Sequence, residues 1–277
     1  MRIGLRLVIW LLVSVLLGGW LMATDVSAAP ARVINGADVP AGEQPWVVGI
    51  LQAGVADDYL AQFCGGTLVA ERWVLTAAHC TFDEVGNAFM TEDLHVLVGR
   101  RVLRGSEGAR LVVDQIIRHP SFDTVTYSHD LALLRLRETT TTPVVTLAAT
   151  ASNDSLLGGR QALVVGWGVT QDGTGADTLQ RAQVPLVATA VCHQRYADYG
   201  LTLAPTMICA GYETGGIDAC TGDSGGPLLL WNNRQQSWLQ IGIISWGSGC
   251  AEAGIYGVYT QVSSFTEWIT NTINNAQ

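Results

Sequence analysis

After about residue 33 the chain alternates short apolar or apolar-polar stretches with Gly-rich or polar breaks, the clearest stretches being 73–76, 95–98, 111–117, 131–136, 163–165, 227–231, 239–245 and 256–262. Runs of this length bounded by turn residues predict strands. Helical spacing shows clearly once: Phe265, Trp268, Ile269, Thr272 and Ile273 recur on one face behind a Ser264/Glu267 capping-box pattern, predicting a helix over about 264–275. The run Thr139-Thr140-Thr141-Thr142 ends in Pro143 and has no apolar face, so it predicts a connector between two halves. At the other end, Arg2 and Arg6 precede an apolar stretch over 7–22 and a small-residue exit at Val26-Ser27-Ala28, the pattern of a removable export signal over 1–28. A membrane anchor is the competing reading, but the stretch is short of the roughly 20 residues a spanning helix needs and is broken by Ser14, Gly18 and Gly19.

Composition sharpens this picture. With 277 residues, 48% hydrophobic and 14% charged, the chain can bury a core and is not disordered, and 31 Gly suit many tight turns. All 15 cationic residues are Arg, set against 24 acids for a net charge of −9. Nucleic-acid binding is therefore excluded, because gripping a phosphate backbone requires clustered positive charge.

The 6 Cys all follow the export pattern, at 64, 80, 192, 209, 220 and 250, and in an exported chain they read as three disulfides. Composition leaves the pairing open. No two lie at the spacing of a zinc knuckle, so no metal is expected.

Chemistry concentrates in three segments. In Asp218-Ala219-Cys220-Thr221-Gly222-Asp223-Ser224-Gly225-Gly226-Pro227 a Ser on a Gly-flanked turn can present its hydroxyl uncovered, with the amides of Gly222 and Ser224 pointing at the same spot. Alone, such a segment reads first as an ordinary polar hairpin turn, and only the other two segments reverse that weighting. The second segment, Thr76-Ala77-Ala78-His79-Cys80, sets a His at a strand end, and the third, Ser128-His129-Asp130-Leu131-Ala132, sets an acid at the head of an apolar strand. His95, His119, His129 and His193 have no such context and read as structural or solvated.

Taken together, His79, Asp130 and Ser224 in that order resemble the chymotrypsin family of serine endopeptidases, in its trypsin-like branch, over essentially all of 33–277. The resemblance implies an all-β fold of two six-stranded antiparallel β-barrels, about 33–143 and 144–263, with a C-terminal α-helix. It implies His79, Asp130 and Ser224 as the catalytic triad and the amides of Gly222 and Ser224 as the oxyanion hole. Asp218 would form the base of the substrate pocket, with Ser245, Trp246 and Gly247 as one wall and Gly257 as the other. Ala219 replaces the hydroxyl residue often found beside that Asp, removing an acceptor for an ammonium group, so cleavage after Arg in preference to Lys is expected.

The same resemblance makes Arg32-Val33-Ile34-Asn35-Gly36 an activation junction behind a propeptide over 29–32. Cleavage after Arg32 frees the Val33 amine to pair with Asp223, so activity should fall in alkali as that amine loses its charge. The implied disulfides are Cys64–Cys80, Cys192–Cys209 and Cys220–Cys250, a minimal set closest to that of bacterial trypsins. No cofactor is required. Arg100 and Arg110 stand where calcium-binding relatives carry carboxylates, which argues against calcium in that loop. Tyr256 stands where digestive trypsins have Pro, and relatives with Tyr there can bind sodium near the pocket, so sodium beside Tyr256 is a further expectation. The implied partners are protein and peptide substrates and protein protease inhibitors, for a secreted extracellular monomer with no membrane contact once the export segment is removed. A catalytically silent homologue is the rival, but such proteins usually lose a triad member or the junction and this chain keeps both.

Overall fold

The chain enters with a two-residue strand, β1 (Ala37–Asp38), then forms β2 (Val47–Gln52), β3 (Gln62–Ala70), β4 (Trp73–Thr76), β5 (Leu94–Val98), β6 (Ala109–Arg118) and β7 (Ala132–Leu136). The computed structural model describes residues 36–149 and 158–276. The export segment, the propeptide and the Arg32–Val33 junction lie outside the described residues. Strands β2 to β7 close into an antiparallel barrel in the order β2-β3-β4-β7-β6-β5. Val48, Ile50, Leu68, Leu75, Val96 and Leu133 fill it, and each is fully buried. Each such side chain contributes roughly 1.5–3 kcal/mol on burial. Between β2 and β3 a single helical turn, α1 (Asp58–Ala61), is capped by Asp57, whose side chain accepts the Tyr59 and Leu60 amides.

A short strand β8 (Thr146–Leu147) follows the Thr-Pro connector and runs parallel to a later strand at Leu239 and Gln240. The second half forms β9 (Gln161–Gly166), β10 (Gln180–Val187), β11 (Met207–Ala210), β12 (Pro227–Asn232), β13 (Ser237–Trp246) and β14 (Gly257–Gln261). These run β10-β11-β14-β13-β12-β9, and a β9–β10 pairing closes the second antiparallel barrel. The fold is thus all-β, with two six-stranded barrels. They share an apolar seam in which Leu51 and Leu97 of the first meet Leu163, Trp167 and Leu229 of the second.

The two halves also exchange pieces. β1 pairs with Gln180 and Arg181 of β10, and Phe265 and Ile269 near the C-terminus pack into the first barrel's core. Two sequence expectations need correction. The terminal helix, α3 (Thr266–Asn275), starts later than 264, because Val262–Ser264 forms a 3-10 turn and the Ser264 hydroxyl donates to Gln261 Oε1 (3.0 Å) instead of capping the helix. It is also joined by a second helix of equal length, α2 (Thr189–Asp198), which the hydrophobic pattern did not reveal because only Cys192 and Tyr196 of its ten residues are buried.

Candidate active site

His79 follows the end of β4 in a 3-10 turn, and Asp130 sits just ahead of β7. β4 and β7 are paired neighbours, with Thr76 opposite Ala132, so the pairing itself brings the two residues together. His129 (φ 56°) and Tyr127 (φ 55°) lie in the left-handed region, bending the chain as it enters β7. Asp130 is fully buried, and its carboxylate collects three donors. The His79 amide donates to Oδ1 (2.9 Å), while His79 Nδ1 (2.7 Å) and the Ser245 hydroxyl (2.5 Å) donate to Oδ2. The bond to Oδ2 places the imidazole proton on Nδ1 and leaves Nε2 free to accept. Ser245, expected only as pocket wall, therefore also holds the acid. The Thr260 hydroxyl on β14 adds a bond to the Asp130 carbonyl (2.9 Å).

Ser224 is delivered from the second barrel. Its carbonyl accepts the Gly65 amide of β3 (2.7 Å), and the next amide, Gly225, donates to Ile244 of β13 (2.8 Å). At Gly225 (φ +80°) an added Cβ would lie 2.2 Å from Thr76 Oγ1 and 2.5 Å from the Gly65 carbonyl, so a side chain there would push the Ser loop off the strand that leads to His79. Ser224 and His79 border the same cavity. No hydrogen bond joins the Ser224 hydroxyl to His79 Nε2, a contact that in such sites tightens when substrate arrives. The amides of Gly222 and Ser224 have no acceptor among the described residues and so remain available to an incoming oxygen.

The cavity, about 360 Å³, runs from His79 and Ser224 down to Asp218 and Ala219, with Ser245, Trp246, Gly247 and Gly257 along its sides. Asp218 is 7% exposed and is held by the amides of Ala219 (2.8 Å) and Ala251 (3.3 Å). Burial pushes its carboxyl up to about 6, with the neighbouring Asp223 adding to the rise. A Cβ at Gly257 would lie 3.0 Å from Asp218 Oδ1, narrowing the cavity beside that carboxylate. Tyr259, two residues along β14 and on the same face, places beside Asp218 a buried hydroxyl that has no partner among the described residues. Burial and the nearby carboxylates push its ionisation well up, so it remains a neutral donor. The period-two spacing from Gly257 is the signal that could have found it.

Asp223, next to Ser224, is 1% exposed and accepts the Gly168 (2.7 Å) and Cys220 (3.0 Å) amides. It has no cationic partner among the described residues, and burial pushes it to about 6. Arg32 and Val33 lie outside the described residues. Disulfides join Cys64–Cys80, Cys192–Cys209 and Cys220–Cys250. The first lies beside His79, with Cys80 Sγ 3.7 Å from Nε2, but its sulfurs are bonded to each other and offer a metal no thiolate. The second ties α2 to β11, and the third ties the Ser224 loop to the pocket wall. From α2, Tyr196 packs edge-on against Trp246 (5.0 Å) and donates its hydroxyl to the Tyr256 carbonyl.

The loop after β5 carries its own cation. Arg100 donates to the carbonyls of Leu103, Gly105 and Glu107 and to Asp58 (3.3 Å), while Arg110 donates to the other Asp58 oxygen (3.0 Å).

A hydroxyl, an imidazole and a buried carboxylate around one cleft, beside two free amides, are the groups that acyl transfer requires. Residues 33–269 match the family model described as Trypsin. The chain is 38% identical to Trypsin 5G1 of Aedes aegypti, over 86% of this chain and 84% of that protein. It is 36% identical to human Transmembrane protease serine 5, over 92% of this chain and 55% of the relative. Serine proteinase stubble of Drosophila melanogaster is also 36% identical, over 86% of this chain and 30% of its own length. With the family model spanning most of its length and these relatives alongside, the chain belongs to the trypsin family of serine endopeptidases.

Proposed function

We propose that this serine endopeptidase cleaves peptide bonds after Arg, less well after Lys, and is secreted as a zymogen activated by cleavage after Arg32. The observation that carries the specificity is Asp218, a buried carboxylate that lines the same cavity as Ser224 and His79. A guanidinium entering that slot can form two parallel hydrogen bonds with the carboxylate. Ala219 contributes its amide to Asp218 but no hydroxyl, which leaves the shorter-reaching ammonium of Lys less well served.

In the reaction, Ser224 Oγ attacks the carbonyl carbon of the scissile bond as His79 Nε2 takes its proton. Asp130, already bonded to Nδ1, stabilises the resulting imidazolium, and the Gly222 and Ser224 amides receive the oxygen that becomes negative. Collapse expels the amine, which leaves with the proton from Nε2. Water then attacks the acyl-enzyme by the same route, regenerating Ser224. No step needs a cofactor.

Activation is supported by Asp223, a buried carboxylate with no cation among the described residues, since an unpaired buried charge is costly and the freed Val33 amine would supply its partner. Secretion rests on the N-terminal apolar pattern and the three disulfides, and no described helix is long and apolar enough to cross a membrane. The deciding experiment is hydrolysis of matched Arg, Lys and Phe peptide amides by protein whose N-terminus has been sequenced as Val33. Arg should lead Lys, with Phe negligible; equal rates on Phe and Arg would overturn the specificity.

A further inference from the structure

The oxyanion turn is built of three successive peptide groups, and each is held by a different bond. The Thr221–Gly222 group, which carries one free amide, is fixed through its carbonyl by the Val169 amide (2.7 Å). The Asp223–Ser224 group, which carries the other, is fixed through its carbonyl by the Gly226 amide (2.9 Å). Between them lies the Gly222–Asp223 group. Its amide donates to the Cys220 carbonyl (2.9 Å), and its carbonyl accepts a bond from Gln62 Nε2 at 2.8 Å, a side chain 160 residues away in the first barrel.

Gly222 sits at φ +95° and has no side chain to resist rotation, so the torsions on either side of it are the soft joint of the turn. Rotating that joint would swing the Gly222 amide away from the reacting carbonyl. The bond from Gln62 opposes the rotation. The side-chain orientation is also fixed, because Nε2 donates to both the Gly222 and Cys64 carbonyls (2.8 and 3.0 Å), and a flipped amide would set its own oxygen against two oxygens.

The placement of Gln62 is itself over-determined. It is the first residue of β3 and the C-cap of α1, where its backbone amide donates to the Asp58 carbonyl. Asp58 is in turn clamped between Arg100 (3.3 Å) and Arg110 (3.0 Å). A line of bonded groups thus runs from the β5–β6 loop through α1 to the oxyanion turn.

We propose that Gln62 is a positioning residue for catalysis: from the first barrel it locks the Gly222–Asp223 peptide so that the Gly222 amide faces the developing oxyanion. This rests on the assignment of the Gly222 and Ser224 amides as the oxyanion hole. Gln62 touches no reacting atom, so its loss should be milder than that of an oxyanion donor, which costs about 10²–10³ in kcat.

The test compares wild type, Gln62→Leu and Gln62→Glu with two inhibitors. Benzamidine fills only the Asp218 pocket, whereas a peptidyl argininal forms a hemiacetal with Ser224 whose oxygen enters the hole. Gln62→Leu should lower kcat roughly tenfold and weaken the aldehyde in proportion, leaving KM and benzamidine affinity within about twofold. Gln62→Glu at pH 8 presents an acceptor to two carbonyls and should lose more. Its aldehyde affinity relative to wild type should recover as the pH falls and the new carboxyl gains a proton it can donate. Equal weakening of both inhibitors, or no change in the aldehyde, would overturn the proposal. Wild type that binds the aldehyde no better than benzamidine would instead overturn the oxyanion assignment.

Discussion

Asp218 offers a prediction whose size follows from its surroundings. Its carboxyl is pushed from an ordinary 3.8 to about 6, chiefly by burial that two backbone amides only partly offset. A shift of about two units corresponds to roughly 3 kcal/mol withheld from the charged form. In the empty protein this cost is absent below pH 3.8, grows as the pH rises through the interval, and is complete above about 6. A bound cation reverses the balance by pairing with the ionised form alone. Benzamidinium, which keeps its charge across this range, should therefore bind more weakly as the pH falls. With half-protonation near 6, the dissociation constant should rise roughly thirtyfold between pH 7.5 and 4.5, approaching tenfold per unit at the acid end. Calorimetric titration measures this as a binding equilibrium, with no rate involved. In Asp218→Ser the affinity should be low and the slope gone. An affinity equal at both pH values, or a slope surviving in Asp218→Ser, would refute the reasoning, the second outcome pointing to Asp223, which also lies near 6.

Other expectations are more compact. A free α-amine titrates near pH 8, and pairing with Asp223 should raise that of Val33, so activity is expected below the raised value and lost as the pH climbs through it; a profile flat to about pH 11 would contradict activation by this amine. Arg100 fills its loop with a side chain only 9% exposed, so EDTA should leave Tm unchanged while Arg100→Ala costs about 3 kcal/mol in denaturant melts; a Tm that rises with calcium would contradict this. Replacing sodium with choline at constant ionic strength tests the expectation at Tyr256, whose carbonyl already receives the Tyr196 hydroxyl: a change in kcat/KM supports a sodium site there, and equal rates end it.

The candidate groups His79, Asp130 and Ser224 were legible because each lies in a short local motif: His79 and Asp130 adjoin strands that the apolar runs predicted, and Ser224 sits in a Gly-flanked turn. What the sequence concealed depends on contacts between distant segments. Ser245 reaches Asp130 across 115 positions and Gln62 reaches Gly222 across 160, and no local pattern marks either. β10 escaped notice although its residues alternate inward and outward, because a buried Gln180 and an internal Pro185 disguise the apolar face. α2 was hidden by its polarity, and it matters because Tyr196 supports Trp246 in the pocket wall. The Ser264/Glu267 pattern misplaced the start of the last helix, since the Ser hydroxyl found Gln261 as a partner.

The most direct test is a burst measurement with an ester titrant bearing a guanidinium, applied to protein processed to Val33. One equivalent of alcohol should be released rapidly, leaving an acyl group on Ser224, with no burst in Ser224→Ala and a greatly slowed one in His79→Ala. The absence of a burst from the processed wild-type protein, or an acyl group mapped to another residue, would contradict the convergence of these side chains above the Asp218 pocket.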